Sequence, residues 1–371
     1  MANATKYLLT AAAVVIIAGL AFTLATRGPA ETETATDVIR IGVLAPLSGD
    51  LTVIGNRMRN AMELAKNDIL REDGSLPIEI IYEDACFAQE TLGAVRKLIE
   101  VDNVSIIGGS FCLFGHVPIL PITEENKIIT FNTAANPDEV LNKQYAFSTN
   151  FSIKEDAIKM AQYAFHELGA RKAAIMHLQT PFGNNYDKYI TEEFERLGGT
   201  ITTHEPKTPD ARDFRSEITK IKATQPDATF LIHFGPPLGT FIKQAKEAGL
   251  ERVLIGDYES EDPSVLAAAQ GAAEGLLFQS TAVSDDFKQR YQQAYGEEPD
   301  VIAANAYDAI HLQVAAYKQC GGDPDCTAEN LRAVKDYPGA SGRLTIEPDG
   351  STSKPVIFKQ VQNGQFVTLE E

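Results

Sequence analysis

The stretch IRIGVLAPLSGDLTVIGNRMRNAMELAKNDI, residues 39–69, decides the fold class. Its first part, Ile39–Leu47, is an apolar run rich in strand-forming residues with Arg40 as its one charged member, and it ends in a Ser-Gly-Asp turn. Its second part places apolar residues on one face of a helix, at Met58, Ala61, Met62, Ala65 and Ile69. An apolar strand of this kind predicts a parallel strand that is buried on both faces and followed by a covering helix.

The same alternation continues along the chain. Further apolar strands are predicted at 78–84, 104–109 and 128–131, and a second series begins at 172–178 and continues at 227–234, 253–256 and 274–280. Helical patterns lie near 92–99, 185–197, 238–248 and 300–318. After Arg343 the chain changes to short strands joined by Asp-Gly and Asn-Gly turns. Two successive α/β units of similar size predict two lobes.

Composition and motifs exclude several classes of function. The chain has 371 residues with 33 basic against 51 acidic side chains, a net charge of −18, so we expect no nucleic-acid partner. The GxSxG, HExxH and GxGxxG motifs and a Lys-bearing phosphate loop are missing from the sequence. We therefore predict a protein that is not an enzyme and that uses no cofactor and no metal.

The amino terminus predicts export. Nineteen uncharged residues, Tyr7–Ala25, follow Lys6, and as a helix they would rise about 28 Å, close to the hydrocarbon thickness of a bilayer. The polar segment 26–37 resembles a tether. Residues 1–37 are predicted to be a cleaved signal peptide or a retained membrane anchor, and both alternatives stay open. The remainder is expected in the periplasm or at the outer face of the cytoplasmic membrane.

The four cysteines suit such an oxidising compartment. Cys320 and Cys326 enclose the turn sequence GGDPD, and Cys86 and Cys112 each follow an apolar run, so that neighbouring strand ends could bring them together. Zinc is the alternative, but neither a CxxC pair nor a histidine at ligand spacing accompanies them. Two structural disulfides are the favoured interpretation.

Candidate ligand-binding segments follow the predicted strands, because open parallel sheets bind ligands beyond the carboxyl ends of their strands. These segments are rich in Gly, Pro, small polar residues and aromatics and carry almost no basic side chain: APLSGD (45–50), EDAC (83–86), GGSFCLFG (108–115), NTAANP (132–137), QTPFG (179–183), FGPP (234–237) and GDYES (256–260). The scarcity of basic side chains argues against a phosphate site.

Several segments together resemble the branched-chain amino acid binding proteins of bacterial ABC importers, which have the type I periplasmic binding fold. The resemblance rests on the opening stretch 39–69 and on YEDACFAQETLGAVRKLI, IIGGSFC, PITEENKIITFNTAANP, DATFLIHFGPPLGTFIKQAKEAGLERVLIGD, AYDAIHL and the closing YPGASGRLTIEPDGSTSKPVIFKQVQNGQF. It extends over nearly all of residues 38–371.

The resemblance implies a fold and a mode of action. Two doubly wound parallel-sheet lobes would be joined by three hinge crossovers, with 38–150 and 278–340 in the first lobe and 151–277 and 341–371 in the second. The lobes would close on a small ligand, expected to be an amino acid, an amide or a short carboxylate, with an aromatic compound as a further alternative, and deliver it to a membrane permease. The alternative is a ligand-sensing receptor on the same fold. The family also implies a Cys86–Cys112 bridge.

Residues for the ligand follow from the same resemblance. The family's aromatic before glycine matches Phe182, its aromatic after a later strand matches Phe234, and its acid that receives an ammonium falls near Asp257 and Tyr258, with Glu259 as an alternative acid. Two positions depart from the family, since Leu113 lies near the usual serine and the usual threonine is missing around Ala134 and Ala135; their backbone N–H groups would compensate in part. The implied ligand-binding residues are Ile54, Leu113, Phe114, Thr133, Ala134, Ala135, Phe182, Phe234, Asp257 and Tyr258.

Overall fold

The computed structural model describes residues 38–133, 138–150, 152–250 and 252–369, apart from the side chains of Asp50 and Leu113. The proposed export segment at residues 7–25 lies outside these ranges. Within them, none of the helices combines the length and the apolar character that a membrane span requires.

The first sheet is entirely parallel and has the strand order β2-β1-β3-β4-β5. Its strands are β1 (Ile39–Ala45), β2 (Ile78–Asp84), β3 (Ile106–Ser110), β4 (Ile129–Asn132) and β5 (Ala146–Ser148). The helices that connect them are α1 (Thr52–Glu72), α2 (Ala88–Glu100) and α3 (Leu113–Glu125).

The second sheet has the order β15-β14-β10-β9-β8-β6-β7 and carries an antiparallel edge. Its parallel strands are β6 (Lys172–Leu178), β7 (Thr200–Lys207), β8 (Ala228–Ile232), β9 (Val253–Gly256) and β10 (Leu277–Thr281). The tail adds β14 (Val356–Gln362), antiparallel to β10, and β15 (Gln365–Thr368), antiparallel to β14. The connecting helices are α4 (Ile153–His166), α5 (Pro181–Arg196), α6 (Arg215–Thr224), α7 (Gly235–Glu247) and α8 (Pro263–Ala269).

Three more helices and a small sheet complete the fold. They are α9 (Asp285–Tyr295), α10 (Val301–Gln319), α11 (Pro324–Arg332) and the three-stranded sheet of β11 (Tyr337–Gly339), β12 (Gly342–Ile346) and β13 (Thr352–Ser353). Phe287 and Tyr291 of α9 and Leu344 and Ile346 of β12 pack into the same core as β1, α1 and α10.

The amino-acid pattern explains why β1 is central. Ile41 and Val43 point into the core formed with α1 and α10, whereas Leu44 points to the opposite face, where α2 packs. Gly42 lets α2 approach closely, because a Cβ at this position would lie 2.8 Å from a methyl group of Leu98. Apolar contacts on both faces are what a parallel strand requires.

The chain passes between the two sheets three times. The first connection (residues 149–152) joins β5 to α4, the second (282–284) joins β10 to α9, and the third (354–355) joins β13 to β14. The predicted α/β fold of two sheet-based lobes with three crossovers is confirmed. The antiparallel strands β14 and β15 make the second sheet mixed rather than purely parallel, and the exact boundaries of the two lobes stay a prediction.

Both proposed disulfides are present. Cys86 and Cys112 are bonded with their Cα atoms 5.2 Å apart, and Cys320 and Cys326 with their Cα atoms 5.7 Å apart. The first bridge joins the segment after β2 to the start of α3, next to the carboxyl end of the first sheet. The second bridge closes the turn between α10 and α11.

The two bridges should contribute unequally to stability, because they close loops of different length. The sequence separations are 26 and 6 residues, and loop-closure entropy gives roughly 3.5 and roughly 2.2 kcal/mol. We expect Cys86→Ser/Cys112→Ser to lower the free energy of unfolding by more than Cys320→Ser/Cys326→Ser does. Urea unfolding followed by circular dichroism measures both, and a larger loss from the second pair would contradict the loop-length argument.

Candidate functional site

A narrow cavity of about 40 Å³ lies between the carboxyl ends of the two sheets. Residues that follow β1 and β3 line one side, and residues at the ends of β6, β8 and β9 line the other. The lining residues are Leu51, Ile54, Phe111, Cys112, Phe114, Leu178, Thr180, Phe182, Phe234, Tyr258 and Glu259. Five of them are aromatic and one, Glu259, is acidic, so the described part of the lining is mainly apolar with a single carboxyl group.

The loop after β6 fixes Phe182 at the cavity. Thr180 is the N-cap of α5, where its hydroxyl accepts a hydrogen bond from the N–H of Gly183 at 3.3 Å. Pro181 occupies the first turn of the helix, where its missing N–H is not needed. Gly183 lies so close to the strand that a Cβ would be 2.1 Å from the carbonyl oxygen of Leu178. This tight turn directs Phe182 into the cleft.

The loop after β9 is built in a similar way. Asp257 accepts a hydrogen bond from the N–H of Glu259 at 3.0 Å and thereby starts a short 3-10 helix at Tyr258–Glu261. A side chain at Gly256 would collide with Ser260, since a Cβ there would lie 1.9 Å from its hydroxyl oxygen. Only glycine therefore lets this helix lie against the strand end and present Tyr258 and Glu259 to the cavity.

The structure brings together five of the proposed ligand residues. They are Ile54, Phe114, Phe182, Phe234 and Tyr258. Asp257 and Thr133 do not belong to the lining. Asp257 is completely buried behind it, and Thr133 is buried against Met58, with its hydroxyl 3.8 Å from the thioether sulfur. The side chain of Leu113 and residues Ala134 and Ala135 lie outside the described residues.

Burial raises the pKa of two carboxyl groups on the second-sheet side of the cavity, those of Asp257 and Glu259. Burial raises the pKa of Glu259 to about 8, the carboxyls of Asp262 and Asp300 add to the rise, and a hydrogen bond with Tyr258 opposes it. Burial also raises the pKa of Asp257 well above its ordinary value, with Glu259 and Asp156 adding to the effect. Oδ2 of Asp257 has no hydrogen-bond partner among the described residues. The wall behind the cavity thus holds more acid groups than neighbouring cations.

Asp156 extends this acidic region away from the cavity. Its carboxylate accepts hydrogen bonds from the hydroxyl of Tyr186 and from the side-chain amide of Gln279. Burial raises the pKa of Asp156 to about 7, whereas the bond from Tyr186 lowers it. Asp156 is satisfied by these donors, which leaves Glu259 as the acidic group that can face a ligand.

Arg57 of α1 lies close to the cavity residue Ile54 in sequence, but its guanidinium group pairs with other acids. Nη1 of Arg57 donates to Oδ2 of Asp300 at 3.2 Å, and its Nε lies 3.8 Å from Glu297. Among the described residues, no Lys or Arg lines the cavity. The undescribed stretch 134–137 reads Ala-Ala-Asn-Pro and adds no basic side chain either. In the described part of the chain, acidic, His and Cys side chains also form no group arranged for a metal ion.

Sequence reasoning missed several lining residues. Leu51, Phe111, Leu178 and Thr180 line the cavity, and Cys112 does so in addition to forming its disulfide. Phe111 follows the last residue of β3 directly, and Thr180 lies two residues after β6. Phe111, Cys112, Leu178 and Thr180 lie in strand-end segments or end a strand, and Leu51 directly follows the segment 45–50, so position after a strand was the available signal.

Comparisons with known proteins agree with this arrangement. A model of a family described as periplasmic binding protein matches residues 38–365. The leucine-, isoleucine-, valine-, threonine- and alanine-binding protein of Pseudomonas aeruginosa is 23% identical over 343 residues, which cover 88% of this chain and 90% of that protein. A Leu/Ile/Val-binding protein homolog of Brucella melitensis is 24% identical over 348 residues, which cover 90% of this chain and 94% of that protein.

Solved structures show the same fold. The leucine binding protein LivK from Thermotoga maritima superposes with a TM-score of 0.83 at 23% identity, covering 90% of this chain and 98% of that one. A solute binding protein of an ABC transporter from R. palustris, solved with benzoate, gives a TM-score of 0.81 at 21% identity, covering 90% of this chain and 95% of that one.

The raised pKa of Glu259 predicts a pH-dependent stability. A pKa of about 8 against an ordinary 4.5 means that the folded chain retains a proton which the unfolded chain releases, so this group makes stability fall as pH rises through that range. We expect Glu259→Gln to raise the free energy of unfolding by roughly 1–3 kcal/mol at pH 8 and to have little effect near pH 4.5.

Urea unfolding of the ligand-free protein across this pH range measures the effect. Glu298→Gln is the matched control, since Glu298 is exposed and lies outside the cavity. Parallel stability curves for wild type and Glu259→Gln would show that Glu259 is ionised in the folded protein, contrary to the prediction.

Proposed function

The chain belongs to the periplasmic binding protein family, and from that premise we propose that it is the solute-binding component of an ABC importer. The family expected from the sequence is thereby confirmed; membership implies an extracytoplasmic location and supports a binding role rather than a catalytic one. The observation that carries the proposal is the cavity between the carboxyl ends of two sheets that three connections join. Its partners would be a small ligand and a membrane permease, with the amino-terminal segment as a candidate anchor.

Hinge closure is the proposed mechanism of capture. The two sides of the cleft contact each other through Asp138, which follows β4, and α5 of the second-sheet side. The hydroxyl of Tyr189 donates to the carboxylate of Asp138, and the ammonium of Lys188 lies 3.8 Å from it. Contacts of this kind exist only while the two sides are close together, so they favour the closed form. A ligand that touches both sides would shift the population further in that direction.

The lining favours a ligand that combines an apolar body with an N–H donor. Five aromatic rings can pack against the body, and Glu259 can accept a hydrogen bond or pair with an ammonium group. A carboxylate would instead leave Glu259 protonated, and among the described lining residues it would find no basic side chain to offset the cost of its own desolvation. Of an amino acid, an amide and a short carboxylate, we therefore favour the first two. The carboxylate of an amino acid would depend on N–H groups such as those of Ala134 and Ala135.

Ring compounds that differ in one polar group test this proposal. We would follow the melting temperature of the full-length protein with L-phenylalanine, benzylamine, benzamide and benzoate, and with L-leucine as an aliphatic member. A ligand that binds only the folded state stabilises it by mass action, about 2.7 kcal/mol at a hundred times its Kd. We expect saturable increases for compounds with an N–H donor and the smallest one for benzoate.

The outcomes separate the two parts of the proposal. The largest increase with benzoate would keep the binding role and reject the preference for an N–H donor. A flat response to every compound would contradict the assignment of small apolar amines and amides as ligands.

Phe182 should contribute directly to affinity. Its ring is 8% exposed and forms part of the cavity wall, and the apolar contact that it offers is worth about 1–2 kcal/mol. We expect Phe182→Ala to raise the Kd of the compound that gives the largest thermal shift by roughly tenfold or more while the protein remains folded.

Phe87→Ala is the matched control. Phe87 is 60% exposed and stacks on Phe114 with ring centroids 5.1 Å apart, without belonging to the cavity lining. Calorimetric titration of both variants gives the comparison, and an unchanged Kd for Phe182→Ala would remove Phe182 from the site.

A further inference from the structure

Lys354 is a buried lysine at the point where the chain crosses between the sheets for the third time. Only 5% of the residue is exposed, and its ammonium group lies among side chains of α10 and of the turn before β12. It donates to Oδ1 of Asn305 at 2.7 Å and to the hydroxyl oxygen of Ser341. A buried ammonium is costly to desolvate, so each of these acceptors matters for keeping it in place.

Asp308 is the countercharge in this cluster. One of its carboxylate oxygens accepts the N–H of Ala340 at 2.7 Å, and the other accepts the N–H of Ser341 at 2.8 Å and its hydroxyl at 2.5 Å. The hydroxyl of Ser341 therefore bridges the ammonium of Lys354 and the carboxylate of Asp308. Burial lowers the pKa of Lys354 to about 7 and raises that of Asp308, while each charge partly offsets the effect on the other.

All three connections are tied to this cluster. In the first connection, the hydroxyl of Thr149 donates to the backbone oxygen of Asn305 at 2.9 Å. In the second, the N–H of Ser284 donates to the backbone oxygen of Ala340 at 2.8 Å. The third contains Lys354 itself. The three connections, which are far apart in sequence, thus contact one set of polar groups on α10 and in the turn at residues 340–341.

The cluster also reaches toward the cleft. The side-chain amide of Asn305 donates to the backbone oxygen of Thr133 at 3.2 Å. Thr133 immediately precedes residues 134–137, the segment that the sequence assigns to the ligand. Asn305 therefore contacts the ammonium of Lys354 on one side and the start of this segment on the other.

We propose that Lys354 is the positioning residue of the hinge, which holds the three connections and the start of the ligand segment together as one unit. The proposal rests on the hinge closure of the proposed function, but it concerns how the connections are held and not which ligand is bound. Without the hydrogen bonds of Lys354 to Asn305 and Ser341, each connection could move independently of the other two. With the cluster intact, a change in one connection is transmitted to the other two and to Thr133.

Hydrogen exchange of the ligand-free, full-length protein tests this coupling. Lys354→Met keeps the length of the side chain and removes the ammonium group. We expect exchange to become at least tenfold faster in peptides that cover residues 149–152, 282–284 and 338–342 together, although the first two are distant from Lys354 in sequence. Faster exchange only around residues 352–356 would overturn the proposal. Since no ligand is added, the result is independent of the ligand assignment.

Lys359→Met is the matched control. Lys359 is 8% exposed and pairs with Glu261, so it joins two segments on the second-sheet side and bonds to none of the three connections. We expect faster exchange near β14 and the 258–261 helix only. The same pattern as in Lys354→Met would mean that any loss of a buried lysine loosens the connections, and the proposal would fail.

A second variant covers the case in which Lys354→Met does not fold. Ser341→Ala removes the bridging hydroxyl and leaves the bond between Lys354 and Asn305. We expect exchange to increase in the same three segments, by a smaller factor. Where both single variants fold, the double variant Lys354→Met/Ser341→Ala adds a further test. Its increase in exchange rate should stay below the product of the two single increases, because both substitutions act on one cluster. A full product would show independent actions and contradict the proposal.

Discussion

The need of a parallel sheet to be covered on both faces is the constraint on which this structure depends. In the first sheet, α1 and α10 cover one face of β1, and α2 covers the other. Parallel strands require a crossover connection, here mostly a helix, so every parallel strand sends its following loop to the same edge of its sheet. Two such edges face each other across the cavity. Ligand-binding residues from distant parts of the chain therefore meet there as a consequence of covering the sheets.

Two helices of the first core also reach the second one. Ile54 near the start of α1 and Val301 and Ile302 at the start of α10 pack with residues of β6 and β8, while the rest of both helices packs against the first sheet. Helix α10 in addition carries Asn305 and Asp308, the groups around the buried lysine. The same helix therefore joins the two apolar cores and the polar cluster at the three connections.

The buried carboxyl groups at the cavity and at the hinge differ in how many hydrogen-bond partners they have. The carboxylate of Asp308 accepts three hydrogen bonds and has the ammonium of Lys354 nearby, whereas Oδ2 of Asp257 has no hydrogen-bond partner in the described part of the chain. Desolvation costs stability in both places, and at the hinge the three hydrogen bonds and the opposite charge offset part of that cost. Of the acids on this side, Glu259 lines the cavity, so its carboxyl group is the one whose interactions a ligand could complete.

The sequence by itself determined the fold class and most of the parallel strands, and together with the family resemblance it indicated the pairing of the cysteines. The strands at 78–84, 172–178 and 253–256 have the predicted bounds because each is a short local run rich in apolar residues. Helix α3 was not predicted because it contains Pro118 and Pro121, and β7 was not predicted because it is a polar edge strand.

Aromatic residues that follow strands, such as Phe182 and Phe234, could be assigned to the cleft from position and family resemblance. Only the tertiary structure decided that Phe111 and Thr180 join them, that Asp257 lies behind the wall, and that Lys354 meets Asn305 and Asp308. Those contacts arise from packing between segments that are far apart in sequence. Apolar periodicity cannot predict them, because it depends only on residues that are near one another along the chain.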